Sequence, residues 1–191
     1  MPTVLEARER APLSYHRWTV AEYHRMADSG LLSTSDRVEL IEGEMIDMAP
    51  IGSRHAYLVD KLVQVLTRNS GSCLVRAQNP ILLGERSEPQ PDVALVRDKS
   101  YMEAHPTASD VLLIIEVADT TLEYDRDVKL SLYARHGIPE VWLLDVNARE
   151  ITVYREPTGG QYRLIRKPTA TETVSPTPPC QYDLRHLPLT N

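Results

Sequence analysis

The chain has 191 residues, of which 42% are hydrophobic and 25% are charged, and its formal net charge is −6 at pH 7. This composition is typical of a globular protein with one domain, and it excludes a disordered, collagen-like or coiled-coil chain. We expect neither a membrane span nor a secretory signal, because no apolar run approaches the roughly 18–20 residues of a span and residues 1–17 are rich in charge.

Charge and cysteine content also bear on function. The acidic net charge gives the chain no general electrostatic attraction to nucleic acid. The two cysteines, Cys73 and Cys180, lie too far apart for a Cys-x-x-Cys motif. We therefore expect both to be reduced thiols in a cytoplasmic protein.

Two predicted helices enclose a hairpin in the first half of the chain. Residues 19–22 match a capping box of the form Ser/Thr-x-x-Glu, which predicts a helix that ends near Ser29. Residues 38–48 predict two short strands around the turn Glu42-Gly43. Residues 54–68 repeat apolar side chains at helical spacing, which is typical of an amphipathic helix.

The second half is predicted to supply the sheet. Residues 111–117 (VLLIIEV) are apolar without alternation, which is typical of a central strand with both faces buried. A helix over 126–136, closed by Gly137, follows this strand. Together these elements predict an α/β domain in which helices flank a mixed central sheet. The remaining predicted elements are weaker strands at 73–77 and 81–83, a strand at 92–96, a loop or short helix at 100–109, a strand at 140–146, and a hairpin around Gly159-Gly160.

Two acidic residues stand at the ends of predicted strands. Glu116 follows five apolar residues, and a carboxylate there is costly to bury without a partner or a metal. The ordinary explanations are a strand end that reaches water for Glu116, and a turn beside Pro91 for Asp92. If the two strands are antiparallel neighbours, both carboxylates meet at one edge and suit a hard divalent cation such as Mg²⁺.

Lys129 is predicted to point towards the core. An α-helix turns by about 100° per residue, so Asp127, Ser131 and Arg135 define one polar face and Lys129 lies almost opposite it. An inward lysine needs an anion nearby, which one of the strand-end carboxylates or a bound phosphate would supply.

Two other candidates have ordinary explanations. Glu39 belongs to an acidic hairpin that water can solvate, and strand alternation does not decide which of its faces is buried. His55 lies in the first turn of a helix, where a histidine is often a surface or cap residue.

Several segments match a known family in order and spacing. The signature segments are Pro91-Asp92 and Glu116-Val117, the second at the end of a hydrophobic strand. These segments resemble the PD-(D/E)XK nuclease signature, and more closely the Uma-type putative restriction endonuclease family of bacteria. The resemblance spans about residues 19–155, and the other matching segments are residues 38–44, 50–55, 93–94, 118–121, 125–133 and 137–145.

This resemblance implies a restriction-endonuclease-like core and Mg²⁺-dependent cleavage of DNA. Asp92 and Glu116 would be the metal ligands, with the carbonyl of Val117 as a third, and Glu39 would be an auxiliary acid near the metal. The role of His55, which also falls in a matching segment, stays open.

The catalytic lysine departs from the superfamily pattern. The superfamily places it two residues after the glutamate, where this chain has Ala118. The Uma-type pattern has a lysine on the following helix instead, and Lys129 matches that position. Tyr133, one turn later, could pack against Lys129 or orient it.

The sequence therefore predicts an endonuclease that hydrolyses DNA phosphodiester bonds with Mg²⁺, or Mn²⁺, and an activated water. One alternative is a catalytically inactive nuclease fold that acts as a DNA-binding or assembly module, which the acidic charge favours. Another is a metal-dependent hydrolase of a different phosphate ester or nucleic acid.

Assembly and domain boundaries are expectations of the same kind. We expect a homodimer, because a double-strand break needs two active sites and most oligomers are two-fold. We also expect a domain over residues 19–167, between an N-terminal arm (1–18) and a C-terminal tail (168–191).

Overall fold

A computed structural model describes residues 14–33, 35–69 and 71–169 of the chain. Helix α1 (Val20–Asp28) leads to a hairpin of strands β1 (Val38–Ile41) and β2 (Glu44–Asp47). Helix α2 (Ser53–Asn69) then precedes strands β3 (Cys73–Ala77) and β4 (Val93–Arg97). A 3₁₀ turn at Ala108–Asp110 opens the long strand β5 (Val111–Ala118).

The second half of the structure begins with helix α3, which covers residues 122–135 in three consecutive parts. Its first turn, Leu122–Tyr124, is α-helical, Asp125–Lys129 is a π-helical turn, and Leu130–Arg135 is α-helical again. Strands β6 (Glu140–Asp145), β7 (Glu150–Thr158) and β8 (Gln161–Arg166) follow. The helix therefore begins about one turn before the predicted residue, Arg126.

Six strands form one mixed sheet in the order β3-β4-β5-β6-β7-β8. β5 and β6 are parallel, and the other neighbours are antiparallel. A parallel pair needs a crossover connection, which α3 supplies. The β1–β2 hairpin is separate, and an antiparallel bridge between Leu40 and Glu88 attaches it to the chain beside β4. The predicted α/β fold with a mixed sheet is confirmed.

Apolar side chains bury both faces of this sheet. On one face α2 packs through Leu62 and Leu66 against Leu113 and Ile115 of β5. On the other face α3 and the hairpin β1–β2 pack against alternate residues of the same strand. The central position predicted for β5 is therefore confirmed, and its successive side chains point to opposite faces.

Apart from the earlier start of α3, the local predictions of secondary structure hold with one exception. The capping box at α1 is formed, since the Thr19 hydroxyl accepts from the Glu22 N–H and the Glu22 carboxylate accepts from the Thr19 N–H. The predicted strand at 81–83 is wrong. Ile81 and Leu83 donate to carbonyl groups of their own loop, at Pro89 and Ser87, so the segment pairs with no neighbouring strand apart from one isolated bridge at Leu82.

The structure also corrects the prediction of two reduced thiols. Cys73 is disulfide-bonded, and the other cysteine of the chain, Cys180, lies outside the described residues. Reduced thiols therefore no longer support a cytoplasmic location, and the location stays a prediction. None of the described helices is long and apolar enough to cross a membrane. Residues 1–13 and 170–191 are not described, so the limits of the arm and the tail also stay predictions.

The packing of α2 gives a stability prediction. Leu62 has no exposed surface, so Leu62→Ala should lower the free energy of unfolding by about 2–5 kcal/mol through lost burial and a residual cavity. Urea denaturation measures this change. The control is Gln64→Ala, which truncates an exposed residue of the same helix and should leave the midpoint nearly unchanged. An equal effect of both substitutions would contradict the packing of α2.

Candidate functional site

The register between β4 and β5 brings two carboxylates together. Val93 lies opposite Ile115 in this antiparallel pair, so the residue that precedes β4 lies beside the end of β5. The Val117 N–H donates to Oδ2 of Asp92 at 2.9 Å, and the Asp92 N–H makes a long contact of 3.4 Å with Oε2 of Glu116. The predicted antiparallel arrangement is confirmed, and Asp92 and Glu116 line one cleft.

Lys129 reaches the same place from α3. Its side chain is only 7% exposed, as the helical geometry predicts. Its Nζ lies 3.3 Å from Oε2 of Glu39 and 3.4 Å from Oε1 of Glu116. A third carboxylate, that of Asp125, lies 3.9 Å away. One buried ammonium thus faces three carboxylates.

Two tyrosines hold these carboxylates in place. The Tyr133 hydroxyl donates to Oε1 of Glu116 at 2.5 Å, and the Tyr124 hydroxyl donates to Oε1 of Glu39 at 3.1 Å. Burial raises the pKa of both tyrosines well above the usual value, so both hydroxyls stay protonated and remain donors. Tyr133 therefore binds the carboxylate that contacts Lys129, whereas the sequence suggested a contact with the lysine itself.

The charges of the cluster depend on one another. Burial raises the pKa of Glu116 to about 8, although Lys129 acts in the opposite direction. Burial also lowers the pKa of Lys129, but the carboxylates around it outweigh this and raise it overall, with Glu116 contributing most. The lysine is therefore an ammonium ion, and Glu116 is its principal partner. Burial likewise raises the pKa of Asp125.

His55 approaches from the first turn of α2. Its Nε2 lies 3.0 Å from Oδ1 of Asp92, the oxygen that does not accept from the Val117 N–H. This hydrogen bond raises the pKa of His55 despite its partial burial. The Nδ1 of His55 is buried and has no hydrogen-bond partner in the described part of the chain. His55 is therefore in the cleft and not a surface or cap residue.

Glu39 enters the cluster because the hairpin docks on the body of the domain. All four residues of β1 are buried, so alternation along this strand could not identify an inner face. The Glu88 N–H donates to the Leu40 carbonyl at 2.7 Å, and the Gln90 N–H donates to Oε2 of Glu39 at 3.2 Å. These contacts turn the Glu39 side chain towards Lys129 and away from water.

The resulting cleft has a volume of about 290 Å³ and an acidic lining. Its rim carries apolar residues of the segment that joins β2 to α2, including Ile51. Its cationic side chains are Arg37 and Lys129, and the imidazole of His55 also lines it. Its acidic side chains are Glu39, Asp47, Asp92, Glu116, Asp119 and Asp125. Before any ion binds, the cleft would repel a phosphate backbone.

The donor set fits a hard divalent cation. Asp92 and Glu116 present carboxylate oxygens to the same cleft, and Mg²⁺ prefers oxygen ligands, often one or two carboxylates. Within residues 14–33, 35–69 and 71–169, no three side chains of His, Cys, Asp or Glu form a group that would hold a metal by themselves. Ion binding would therefore rest on the two strand-end carboxylates. The proposed carbonyl ligand at Val117 stays a prediction.

Three contacts of the cluster were not predicted from the sequence. Tyr124, Asp125 and the backbone of Gln90 all contribute to it. Asp125 had a local signal, since it stands four residues before Lys129, where oppositely charged helical residues meet. Tyr124 and Gln90 had none, because their contacts depend on how the hairpin packs.

Comparisons with known proteins agree with this fold. The model of the Uma2 family, described as "Putative restriction endonuclease", matches residues 20–190. A crystal structure of a putative nuclease belonging to DUF820 from Anabaena variabilis superposes with a TM-score of 0.67 at 15% sequence identity. The alignment covers 89% of this chain and 97% of that one. No curated protein matches the chain significantly.

The raised pKa of Glu116 predicts a pH dependence of stability. Between the ordinary pKa of 4.5 and about 8, the folded metal-free protein retains a proton that the unfolded chain releases, so stability falls as pH rises through this range. Glu116→Gln removes this titration. When a chelator is present, the melting temperature of the variant minus that of wild type should therefore increase from pH 5 towards pH 8. Differential scanning fluorimetry measures the difference.

A matched control separates this effect from a general change in charge. Glu123→Gln removes an exposed carboxyl group of α3 and should follow the wild-type profile across the same pH range. A constant difference between Glu116→Gln and wild type at every pH would contradict the burial of the Glu116 charge.

Proposed function

Because the chain belongs to the Uma2 putative restriction endonuclease family, we propose that it is a Mg²⁺-dependent endonuclease that hydrolyses phosphodiester bonds of DNA. The family supports a nuclease; the substrate, the metal and the catalytic residues are our proposal. One observation carries it: Asp92 and Glu116 share one cleft with a buried lysine ammonium 3.4 Å from Glu116. A purely structural ion pair would not need the second strand-end carboxylate beside it.

The metal would be held by Asp92 and Glu116, with the carbonyl of Val117 as a third ligand. When bound, Mg²⁺ or Mn²⁺ polarises a phosphate oxygen and makes water a stronger nucleophile. The chain's own contribution is orientation. The Val117 N–H holds one oxygen of Asp92, and the Tyr133 hydroxyl holds one oxygen of Glu116. Hydrogen bonds of this kind, which orient ligating carboxylates, commonly set metal affinity.

Lys129 would be the catalytic lysine. Its ammonium lies at the wall of the cleft beside Glu116, where it can orient the attacking water or offset the negative charge that builds on the phosphate. Preorganised charge in a site that excludes water is the largest single contribution in many enzymes. Lys129 comes from the crossover helix and not from β5, so this site uses a displaced lysine.

The remaining site residues would act through the two metal ligands and the lysine. Glu39 would be an auxiliary acid that contacts the lysine at 3.3 Å. His55 would orient Asp92 through its hydrogen bond of 3.0 Å. Tyr133 would orient Glu116. None of the three needs to touch the substrate in this proposal.

A homodimer would suit the cleavage of both strands. Each subunit would supply one cleft, and two clefts related by a two-fold axis would face the two strands. Arginines of both subunits would then face DNA in spite of the negative net charge of each chain. The cytoplasmic location, where such DNA would be met, belongs to the same proposal.

The acidic lining supports one alternative, a catalytically inactive nuclease fold that serves as a DNA-binding or assembly module. Six acidic side chains and two cationic ones line the cleft, which is an unfavourable surface for a phosphate backbone until a metal binds. Such a module would bind its partner elsewhere and would show no metal-dependent cleavage.

The cleavage of supercoiled plasmid DNA tests the proposal directly. In Mg²⁺ or Mn²⁺ the wild type should nick or linearise the plasmid, and the reaction should stop in a chelator. Asp92→Asn should abolish cleavage and also metal binding, because it removes a charged ligand. Agarose gels follow the cleavage, and isothermal titration with Mn²⁺ follows binding.

Asp60→Asn is the matched control, because it makes the same chemical change at an exposed position of α2 outside the cleft lining. It should cleave like wild type. Metal binding without cleavage of plasmid, single-stranded DNA or RNA by the wild type would favour the inactive module.

A substitution of Lys129 should impair DNA cleavage without impairing metal binding. Lys129→Met keeps the length of the side chain and removes its charge, so it should still bind Mn²⁺ while cleavage slows by about 10²–10³-fold, as for the loss of one transition-state contact. Lys61→Met, a change of the same type outside the cleft lining, should cleave at the wild-type rate. Full activity of Lys129→Met would exclude the displaced-lysine assignment. Circular dichroism confirms that each variant is folded.

A further inference from the structure

The two cations that line the cleft differ in how their charges are balanced. Lys129 contacts three carboxylates. Arg37 also lines the cleft, but no carboxylate of the described residues forms an ion pair with it. Its side chain donates from Nη1 to the carbonyl of Ala49 at 3.1 Å, which is a neutral acceptor. The guanidinium therefore keeps its full charge and most of its five N–H donors.

The arginine at the other side of the same rim is already paired. Arg54, in the first turn of α2, donates from Nη2 to Oδ1 of Asp119 at 3.3 Å and to Oδ1 of Asn147 at 2.8 Å. Asp119 is one of the carboxylates of the cleft lining, so the charge of Arg54 is largely offset at the rim. Of these two arginines, only Arg37 offers an unbalanced positive charge to a ligand.

The hairpin fixes the position of Arg37. This residue directly precedes β1, and its carbonyl accepts from the Met48 N–H at 2.8 Å, next to the first pair of the hairpin, Val38 and Asp47. The Ala49 carbonyl, which holds the guanidinium, belongs to a residue that also lines the cleft. Backbone and side chain are thus both anchored to the segment that joins β2 to α2. An anchored side chain loses less conformational freedom when it binds a ligand.

Arg37 also lies close to the proposed metal site. The pKa of His55 is raised mainly by its hydrogen bond with Asp92, and the positive charge of Arg37 opposes this rise. Arg37, His55 and Asp92 line the same cleft. An anion that binds to Arg37 therefore lies near an ion held by Asp92 and Glu116.

We propose that Arg37 binds a phosphate of the DNA strand next to the phosphate that the metal ion polarises, and so positions this strand in the cleft. The planar fork of a guanidinium can donate to two oxygens of one phosphate. Arg37 is then a substrate-binding residue and not a metal ligand. This proposal rests on the proposed function and identifies a substrate contact of the same site.

The ordinary explanation is that Arg37 only holds the segment between β2 and α2 through the Ala49 carbonyl. That role needs an N–H donor and not a charge, whereas a phosphate contact needs both. The acidic lining makes the difference measurable. A phosphate that enters the cleft meets six acidic side chains, so the loss of an unbalanced cation should weaken DNA binding.

DNA binding by charge variants of Arg37 tests the proposal. Fluorescence anisotropy of a labelled DNA duplex measures the affinity of the full chain in Ca²⁺, a hard ion that takes the same kind of oxygen ligands as Mg²⁺. Arg37→Gln removes the charge but keeps an N–H donor for the Ala49 carbonyl. We expect its Kd to rise by about 10-fold, as for the loss of one hydrogen bond between charged groups.

The salt dependence of binding separates a phosphate contact from a structural role. The slope of log affinity against log salt concentration should be smaller by about 0.9 for Arg37→Gln, because one phosphate contact is lost. Arg37→Lys keeps the charge and should retain the wild-type slope. The matched control is Arg68→Gln, the same change at an exposed position in the last turn of α2, which should bind DNA like wild type.

The outcomes distinguish this contact from the nuclease on which it rests. Wild-type affinity in Arg37→Gln, an unchanged salt slope, or an equal loss in Arg68→Gln would each overturn the Arg37 contact and leave a metal-dependent nuclease intact. A smaller slope in Arg37→Gln, while wild type binds DNA without cleaving it, would support the contact and overturn the nuclease. No binding of DNA by wild type would overturn both.

Discussion

A carboxylate in the centre of the domain cannot remain charged without a cation beside it, and this constraint links the fold to the site. Glu116 is 3% exposed on a strand covered from both sides, and burial raises its pKa to about 8. The ammonium of Lys129, at 3.4 Å, is the partner that stabilises its charged form. The removal of one partner from a buried ion pair commonly costs about 3–5 kcal/mol, because the other charge is left unpaired. The pair therefore belongs to the folded structure as well as to the proposed chemistry.

The topology explains why these charges meet. β5 and β6 are parallel, so the chain between them must cross the sheet, and α3 is this crossover. α3 covers the face towards which alternate residues of β5 point, and this brings Lys129 above Glu116. The antiparallel neighbour β4 begins beside the same strand end and adds Asp92. Three of the proposed site residues thus follow from two strand pairings and one helix.

Much of this arrangement could be predicted from the sequence, because it depends on local patterns. The apolar run of β5 indicates a central strand, and an acid at its end must meet a partner. The inward direction of Lys129 follows from the polar face opposite it. The side chain is buried as predicted, although a π-helical turn ends at this residue. The family resemblance added Glu39, which the hairpin alone left undecided.

Other features could not be predicted, because they depend on contacts between distant segments. The side chain of Glu39 is fixed by the backbone of Gln90, 51 positions along the chain. His55 enters the cleft only because α2 lies against the start of β4, where it meets Asp92. The segment at 81–83 has the composition of a strand, but it folds back on its own loop. Periodicity is a local signal, and it contains no information on such packing.

The same constraint determines where the stability of the domain must come from. Four carboxylates and one ammonium at one end of the sheet carry a desolvation cost, which mutual attraction in a protein interior often does not fully offset. The two apolar clusters on the faces of the sheet contain the largest buried side chains, Trp142 and Tyr133 among them, and they supply the compensating burial. Tyr133 belongs to both systems, since its ring packs in the core while its hydroxyl holds Glu116. The charged cluster is therefore kept in place by the apolar core beneath it.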